Sequence, residues 1–408
     1  MSLILLGKQL TLRISKNKVC YKLLFTAYHL ANYLGAVIYY ILRIYPISPN
    51  KIVISNMAGK GYNDHLKYIV EELLKRATSY DIVWLLGQDW STKTDFPDGI
   101  RFVKYGSLRA KYELVTGKIW IDNVRKLASV RKRKGQYYIQ TWHGFGPKKY
   151  RSDDKYAPLL QNLAVKRDAK MTDVIISNNR YLTEMYHDDF WYNCRILECG
   201  FPRNDILFSD TYPQINTKVR TSLSIPLNKK ILIYAPTYRN NLSTDCYNLD
   251  INLVLDSLSV KFGGEWICLL RLHPFMAGLT NPSWIQNTRI INASNYLDVQ
   301  ELLYVSDVMI SDYSSIIFDF TLTNRPCFLY LPDIDNYTSA DFCITPKEMP
   351  FLNATTNNDL RNVILSFNEG DYLLNLYSFF KKYSLIENGK ASAFIADWIE
   401  DKINSSVN

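Results

Sequence analysis

From residue 50 to about residue 330 the sequence twice repeats one arrangement, short apolar runs separated by longer amphipathic stretches. Runs of that length read as buried strands, and stretches with apolar residues at 3.6 spacing read as helices. Residues 51–55 form the first such strand. A helix is predicted over 63–76, where Leu66, Ile69, Val70, Leu73 and Leu74 fall at i, i+3, i+4, i+7 and i+8. Strands are then expected at about 81–86, 101–104, 118–122, 137–141, 173–177 and 195–199. Residues 200–229, with Pro202, Pro213 and Pro226, read as a crossover. A second series follows, with strands at 230–235, 265–271, 307–310 and 326–330 and helices at 250–260, 298–304 and 314–321. Residues 358–405 read as mostly helical. Strands that alternate with helices pair in parallel and are covered on both faces. The expectation is an α/β chain of two Rossmann-like domains, 50–205 and 230–385, facing a cleft, with a crossover at 206–229 and a closing helix at 386–408. Ligands of such sheets bind beyond the carboxyl ends of the strands.

Charge narrows the partners. The chain carries 48 Lys and Arg against 39 Asp and Glu, a net +9, and residues 1–60 hold eight of the basic residues and no acid. The other 348 residues therefore total +1. A nucleic-acid binder spreads its basic surface over the folded domain; here the excess surrounds an apolar run at 23–42. The pattern points to an anionic membrane surface and away from nucleic acid. The run is long enough to span a bilayer. However, Thr26, Tyr28, His29, Asn32, Tyr33, Tyr39 and Tyr40 make it polar for a spanning helix. Residues 1–49 are read as a membrane-associating helical segment lying on the membrane, with a buried core helix as the alternative. Pro46 and Pro49 end the helix. Seven cysteines without a paired ligand spacing suit a reducing compartment rather than a disulfide framework or a zinc site.

Four polar clusters stand where strands end. The first is Gln140-Thr141-Trp142-His143-Gly144-Phe145-Gly146-Pro147-Lys148, in a 125–151 stretch with nine Lys or Arg and no acid. His143 sits where a general base would stand, and equally where a hydrogen-bonded turn histidine would. The second is Tyr234-Ala235-Pro236-Thr237-Tyr238-Arg239, with Thr237 and Arg239 suited to a phosphate or to capping. The third is Arg271-Leu272-His273-Pro274, in which Arg271 and His273 share a face by the period of two. The fourth is Ser311-Asp312-Tyr313-Ser314-Ser315-Ile316-Ile317-Phe318-Asp319, read as a strand passing into a serine-capped helix whose free N–H groups attract anions. Asp319, four residues after Ser315, falls on the same helix face.

Together with Gly200-Phe201-Pro202-Arg203-Asn204-Asp205 and the stretch from Ser55 to Asp64, these clusters resemble the CDP-glycerol glycerophosphotransferase family of teichoic acid and capsule synthesis. The resemblance covers roughly 50–335. It implies a GT-B fold, acceptor bound mainly by the first half and nucleotide by the second, and a peripheral position on the cytoplasmic face of the cell membrane. The implied reaction transfers glycerol phosphate from CDP-glycerol to a hydroxyl of an undecaprenyl-linked saccharide or polyol-phosphate acceptor, releasing CMP. The implied base is His143. His273, Arg271, Thr237, Arg239, Ser314 and Ser315 would hold the donor phosphates. Asp312 and Asp319 would lie on the nucleotide or glycerol side, and Lys60, Asp64 and Lys148 on the acceptor side.

Phe145-Gly146-Pro147-Lys148 departs from the family's usual Thr-Pro-Leu-Lys, which puts the acceptor in question. No cofactor is expected, and Asp333 and Asp335 are the pair left open for a divalent metal. His29, His65 and His187 are read without chemistry. CDP-ribitol as donor, a GT-B glycosyltransferase using another nucleotide sugar, and an inactive membrane scaffold are the competing readings.

Overall fold

The computed structural model describes residues 18–76, 79–87, 96–147, 159–189, 192–237, 239, 248–273, 287–337 and 342–405. Two all-parallel sheets organise them. The first has seven strands: β1 (Ser48–Ser55), β2 (Asp81–Leu86), β3 (Ile100–Lys104), β4 (Gly117–Asp122), β5 (Tyr137–Gln140), β6 (Val174–Ser177) and β7 (Arg195–Glu198), in the order β3-β2-β1-β4-β5-β6-β7. The second has six: β8 (Lys229–Ala235), β9 (Glu265–Leu270), β10 (Ile290–Asn292), β11 (Val308–Ser311), β12 (Cys327–Tyr330) and β13 (Leu352–Ala354), in the order β10-β9-β8-β11-β12-β13. All the expected strands form. The edge strands β10 and β13 were not anticipated; at three residues each they are too short to carry a period.

The central strands are apolar along their whole length because both faces are covered. Ile52, Val53 and Ile54 of β1 pair with Ile82, Val83 and Trp84 on one side and Ile119, Trp120 and Ile121 on the other, and all nine are buried. In the second sheet Ile233 lies between Leu269 and Met309. β1 starts three residues earlier than expected, and its register shifts between Ser48 and Ile52, around Pro49, which has no N–H to give the ladder.

Helix α1 (Lys18–Ile41) covers the apolar run, and a 3₁₀ turn at Leu42–Ile44 closes it before Pro46. It has two unlike faces. Ala36 and Tyr39 are buried, and Tyr39 joins Ala110 and Leu114 of helix α3 (Leu108–Thr116) over one face of the first sheet. Leu23, Leu30, Leu34, Val37 and Ile41, at the spacing of the opposite face, are exposed. The core-helix reading thus holds for one face alone. No helix among the described residues is long and apolar enough to cross a membrane.

The other face of the first sheet carries helix α2 (Asp64–Leu74), which also touches the second half. Lys67 Nζ donates to Asp298 Oδ2 at 2.6 Å and to Glu301 Oε1 at 2.7 Å, Tyr68 Oη donates to Asp298 at 2.8 Å, and all four side chains are buried. The chain then returns to the first half. Glu387 accepts from Asn178 and Asn204 at 2.9 Å each and from Phe201 N at 3.2 Å. The final helix, Ala391–Asn404, meets Arg76 through Asp397 and Glu400, both at 2.7 Å.

Candidate active site

In the first sheet the strand order reverses between β1 and β4, so the loops after these strands diverge and leave a crevice. Asn56 and Asn123, the residues just past them, meet there, with Asn123 Nδ2 donating to Asn56 Oδ1 at 2.6 Å and to Asp64 Oδ2 at 2.8 Å. Met57, Ala58, Gly59, Gly61 and Asp64 all adopt positive φ, which coils the intervening loop around Asn56 and brings Asp64 back to the strand ends.

His143 enters this crevice from the end of β5. Trp142 before it is held at φ +54° by the Gln140 side chain, which accepts from Trp142 N at 2.9 Å. The two rings lie 4.2 Å apart, and the Arg125 guanidinium stacks on the Trp142 ring at 4.9 Å. His143 Nδ1 is 3.0 Å from the carbonyl oxygen of Asn123. A carbonyl only accepts, so the proton is on Nδ1 and the lone pair is on Nε2. Burial pushes the imidazole pKa down against the pull of that carbonyl and of Asp64, which keeps the ring neutral at physiological pH. A neutral imidazole with one nitrogen anchored and the other open is the form a general base requires.

Arg203, from the 3₁₀ segment Pro202–Phe208, closes the crevice. Its Nη1 donates to Asp64 Oδ1 at 3.1 Å and to the His143 carbonyl at 2.9 Å, while Nη2 lies 2.7 Å from Asp319 Oδ2. Burial pushes the Asp64 carboxyl up, but His65, Arg203 and His143 outweigh it and hold the pKa at about 2. Gly144 is needed here: it sits at φ +127°, and a Cβ on it would come within 2.5 Å of Arg203 Nη2. His65 is fully buried against Phe201, and burial keeps it uncharged, with a pKa pushed down to about 3.

In the second sheet the order reverses between β8 and β11, and two of the expected clusters meet at that point. Asp312 Oδ1 accepts from Thr237 N at 2.8 Å, and Asp312 Oδ2 is 3.0 Å from Arg239 Nη1. Arg239 also forks onto Asp333 at 2.7 and 3.0 Å and lies beside the packed rings of Tyr313 and Tyr337, each 5.1 Å away. Arg271 gives Nη1 to the carbonyls of Ala293, Ser294 and Tyr296 at 2.6–2.9 Å. Both guanidinium groups are engaged within the protein, Asp333 is an arginine partner, and the two arginines shape the loops behind the strand ends of the second sheet. His273 is half-buried at the end of β9, and Ser314 and Ser315 are half-buried just past β11. The helix they precede is only Ile316–Phe320, and Ser315 makes no side-chain cap, so the serine-capped helix expected from 314 is corrected to one of five residues. Asp319, a residue of this helix, accepts from Gln300 Nε2 at 3.1 Å besides Arg203.

Of the residues expected on the acceptor side, Asp64 is part of the His143 network, Lys60 is exposed on the coiled loop, and Lys148 lies outside the described residues. Among the described residues no group of three or more His, Cys, Asp or Glu is placed to hold a metal ion. His187 instead bonds the Tyr192 carbonyl at 2.8 Å. Sequence reasoning missed Asn56, Asn123 and Gln300 and assigned no part to Arg203. Its signal was a lone arginine between Pro202 and Asn204 in an otherwise apolar approach. A cavity of about 1050 Å³ lined by Lys67, Tyr68, Lys218, Tyr296 and Asp298 lies beside the inter-half contact and holds none of these strand-end groups.

Comparison with known proteins places this architecture. The chain is 32% identical over 372 residues to the teichoic acid poly(glycerol phosphate) polymerase of Staphylococcus epidermidis, covering 88% of this chain and 51% of that protein. It is 27% identical over 386 residues to the teichoic acid glycerol-phosphate transferase of Staphylococcus aureus, covering 89% of this chain and 96% of that one. A solved structure of the wall teichoic acid polymerase TagF superposes with a TM-score of 0.79 at 28% identity, covering 100% of both chains. The chain spans about half the length of the curated poly(glycerol phosphate) polymerases of Staphylococcus epidermidis and Bacillus subtilis. Residues 37–401 match the CDP-Glycerol:Poly(glycerophosphate) glycerophosphotransferase family, and the chain belongs to that family.

Proposed function

We propose that this chain transfers glycerol phosphate from CDP-glycerol to a hydroxyl of a lipid-linked saccharide or polyol-phosphate acceptor, releasing CMP, in teichoic acid or capsular polysaccharide synthesis. The observation that carries the reading is His143, a neutral imidazole anchored through Nδ1 at the reversal point of the first sheet. In this reading the two sheets are the halves of a GT-B enzyme, residues 50–205 serving the acceptor and 230–385 the donor. Nε2 of His143 takes the acceptor hydroxyl proton as that oxygen attacks the β-phosphorus. The bond from this phosphorus to the bridging oxygen breaks, and CMP leaves with the electron pair. His273, Thr237, Ser314 and Ser315 hold the pyrophosphate, while Arg239, Arg271 and Asp312 fix the loops that present them. Positioning and charge stabilisation supply most of the acceleration in such transfers.

The exposed face of α1, with Leu30, Leu34 and Ile41 beside Arg43 and Arg133, fits a protein lying on an anionic bilayer. That supports a peripheral position on the cytoplasmic side, where a nucleotide-linked donor is found. CDP-ribitol is the second donor to test, because the poly(ribitol-phosphate) polymerase of Bacillus spizizenii also matches, at 27% identity over 304 residues.

The test is CMP release from CDP-glycerol and, separately, CDP-ribitol, with and without a short lipid-linked acceptor, beside His143→Ala. Acceptor-dependent release by the wild type, lost in His143→Ala while CDP-glycerol still binds, is expected. No CMP from either donor by folded, vesicle-bound protein would overturn the reading.

A further inference from the structure

We propose that Arg203 is a positioning residue that locks the His143 loop to the donor half, so that the base is aligned only when the segment carrying Ser314 and Ser315 is in place. The inference rests on the reaction proposed above. One guanidinium reaches three separate pieces of chain: Asp64 at the start of α2, the carbonyl of His143 itself, and Asp319 in the helix immediately behind the two serines. Arg203 and Asp319 are both buried, and 116 residues of chain separate them. Asn204 and Gln300 brace the same crossing, since Gln300 Nε2 is 3.2 Å from Asn204 Oδ1 and 3.1 Å from Asp319 Oδ2. A planar fork transmits a displacement of Asp319 to the His143 backbone. An ammonium, a point charge on a flexible stem, does not hold three acceptors in fixed directions.

Arg203 also sets the field at the imidazole. The charged or titratable groups facing His143 are Asp64 and His65 from α2, Arg125 from the loop after β4, and Arg203 itself. Asp64 and Arg203 act on the ring with opposite signs. Removing the arginine favours the imidazolium, so the pH below which the base is lost must rise. Removing the Asp64 charge must lower it. A residue that only supported the fold would not move the two variants in opposite directions.

The experiment measures acceptor-dependent CMP release between pH 5.5 and 9 for Arg203→Lys, Arg203→Met, Asp64→Asn, Asp319→Asn and the Arg203→Lys/Asp319→Asn pair, with CDP-glycerol affinity by calorimetry. Arg203→Lys is expected to lose about 100-fold in kcat, the effect of a misplaced reacting group, with CDP-glycerol affinity changed less than about threefold. The double variant is expected to be no worse than the weaker single one. The acid limb of kcat/KM moves up in Arg203→Met and down in Asp64→Asn. Wild-type kcat in Arg203→Lys, additive losses in the pair, or limbs that move the same way would overturn the proposal. If Arg203→Met does not fold, Arg203→Lys and the pair decide. If the wild type itself releases no CMP, the proposed reaction falls. The proposal is then judged by NMR titration of the His143 imidazole, where opposite shifts are still required.

Discussion

Replacing Gly144 by alanine tests the geometry of the site most directly. The residue sits at φ +127°, a conformation that an L side chain rarely adopts, and holding alanine there costs about 1–3 kcal/mol. The added Cβ also arrives 2.5 Å from Arg203 Nη2, against an ordinary contact of 3.4 Å or more, so about 0.9 Å must be found. Arg203 cannot swing away cheaply, because the same nitrogen is 2.7 Å from the buried Asp319 carboxylate. Crowding of this kind adds about 1–3 kcal/mol. The displacement falls on His143, the adjacent residue, whose carbonyl is bonded to Arg203 at 2.9 Å. A reacting group moved by about 1 Å loses roughly 100-fold in rate. Gly144→Ala is therefore expected to lower acceptor-dependent CMP release about 100-fold, with a thermal midpoint reduced by a few degrees. Gly106→Ala is the control: its φ of +76° brings backbone strain, but a Cβ there meets nothing within 4 Å, so stability falls slightly and activity does not. Wild-type turnover by Gly144→Ala, or an equal loss in Gly106→Ala, would show that Arg203 and His143 are not coupled through this contact.

Lys67→Met leaves Asp298 and Glu301 buried without their shared ammonium, and removing one partner of such a cluster costs about 3–5 kcal/mol. Scanning calorimetry should show a lower midpoint, and Lys67→Met/Asp298→Asn should recover part of it; a midpoint unchanged in the single variant refutes the contact's role. Burial pushes the Glu387 carboxyl up to about 8, against the pull of Asn178, Asn204 and the Phe201 N–H. With the folded value above the unfolded one, its contribution is complete below the ordinary carboxylate range and is lost as pH rises towards 8. Denaturant titrations should accordingly show the wild type losing stability relative to Glu387→Gln between pH 5 and 8, and parallel curves would disprove it. Leu34→Ser/Ile41→Ser removes two exposed apolar side chains from α1, each worth about 1.5–3 kcal/mol if buried in lipid, and should reduce partitioning onto anionic vesicles at least tenfold. Undiminished pelleting would move the contact to the basic residues at 125–134.

Eleven of the thirteen strands, and the helix after β1, were legible in the sequence because burial on both faces of a parallel sheet leaves a local trace. Ile52-Val53-Ile54 and Ile231-Leu232-Ile233 are apolar without alternation, and Leu66, Ile69, Val70 and Leu73 repeat at helical spacing. The strand-end positions of His143, Thr237, Arg271 and Asp312 follow from where those runs stop. Strand order does not, because any apolar strand can lie beside any other, and only the assembled sheets place the reversals between β1 and β4 and between β8 and β11. Nor does charge pairing. Arg239 and Arg271 have the composition of phosphate ligands, yet the fold turns one onto Asp312 and Asp333 and the other onto three backbone carbonyls. The sequence by itself determined the elements and the residues standing at their ends, since those rest on periodicities within a few residues of chain. Tertiary structure alone decided that Asn123 anchors the imidazole and that Arg203 meets Asp319, since a charge or a carbonyl finds its partner through space, where burial leaves it no water to turn to.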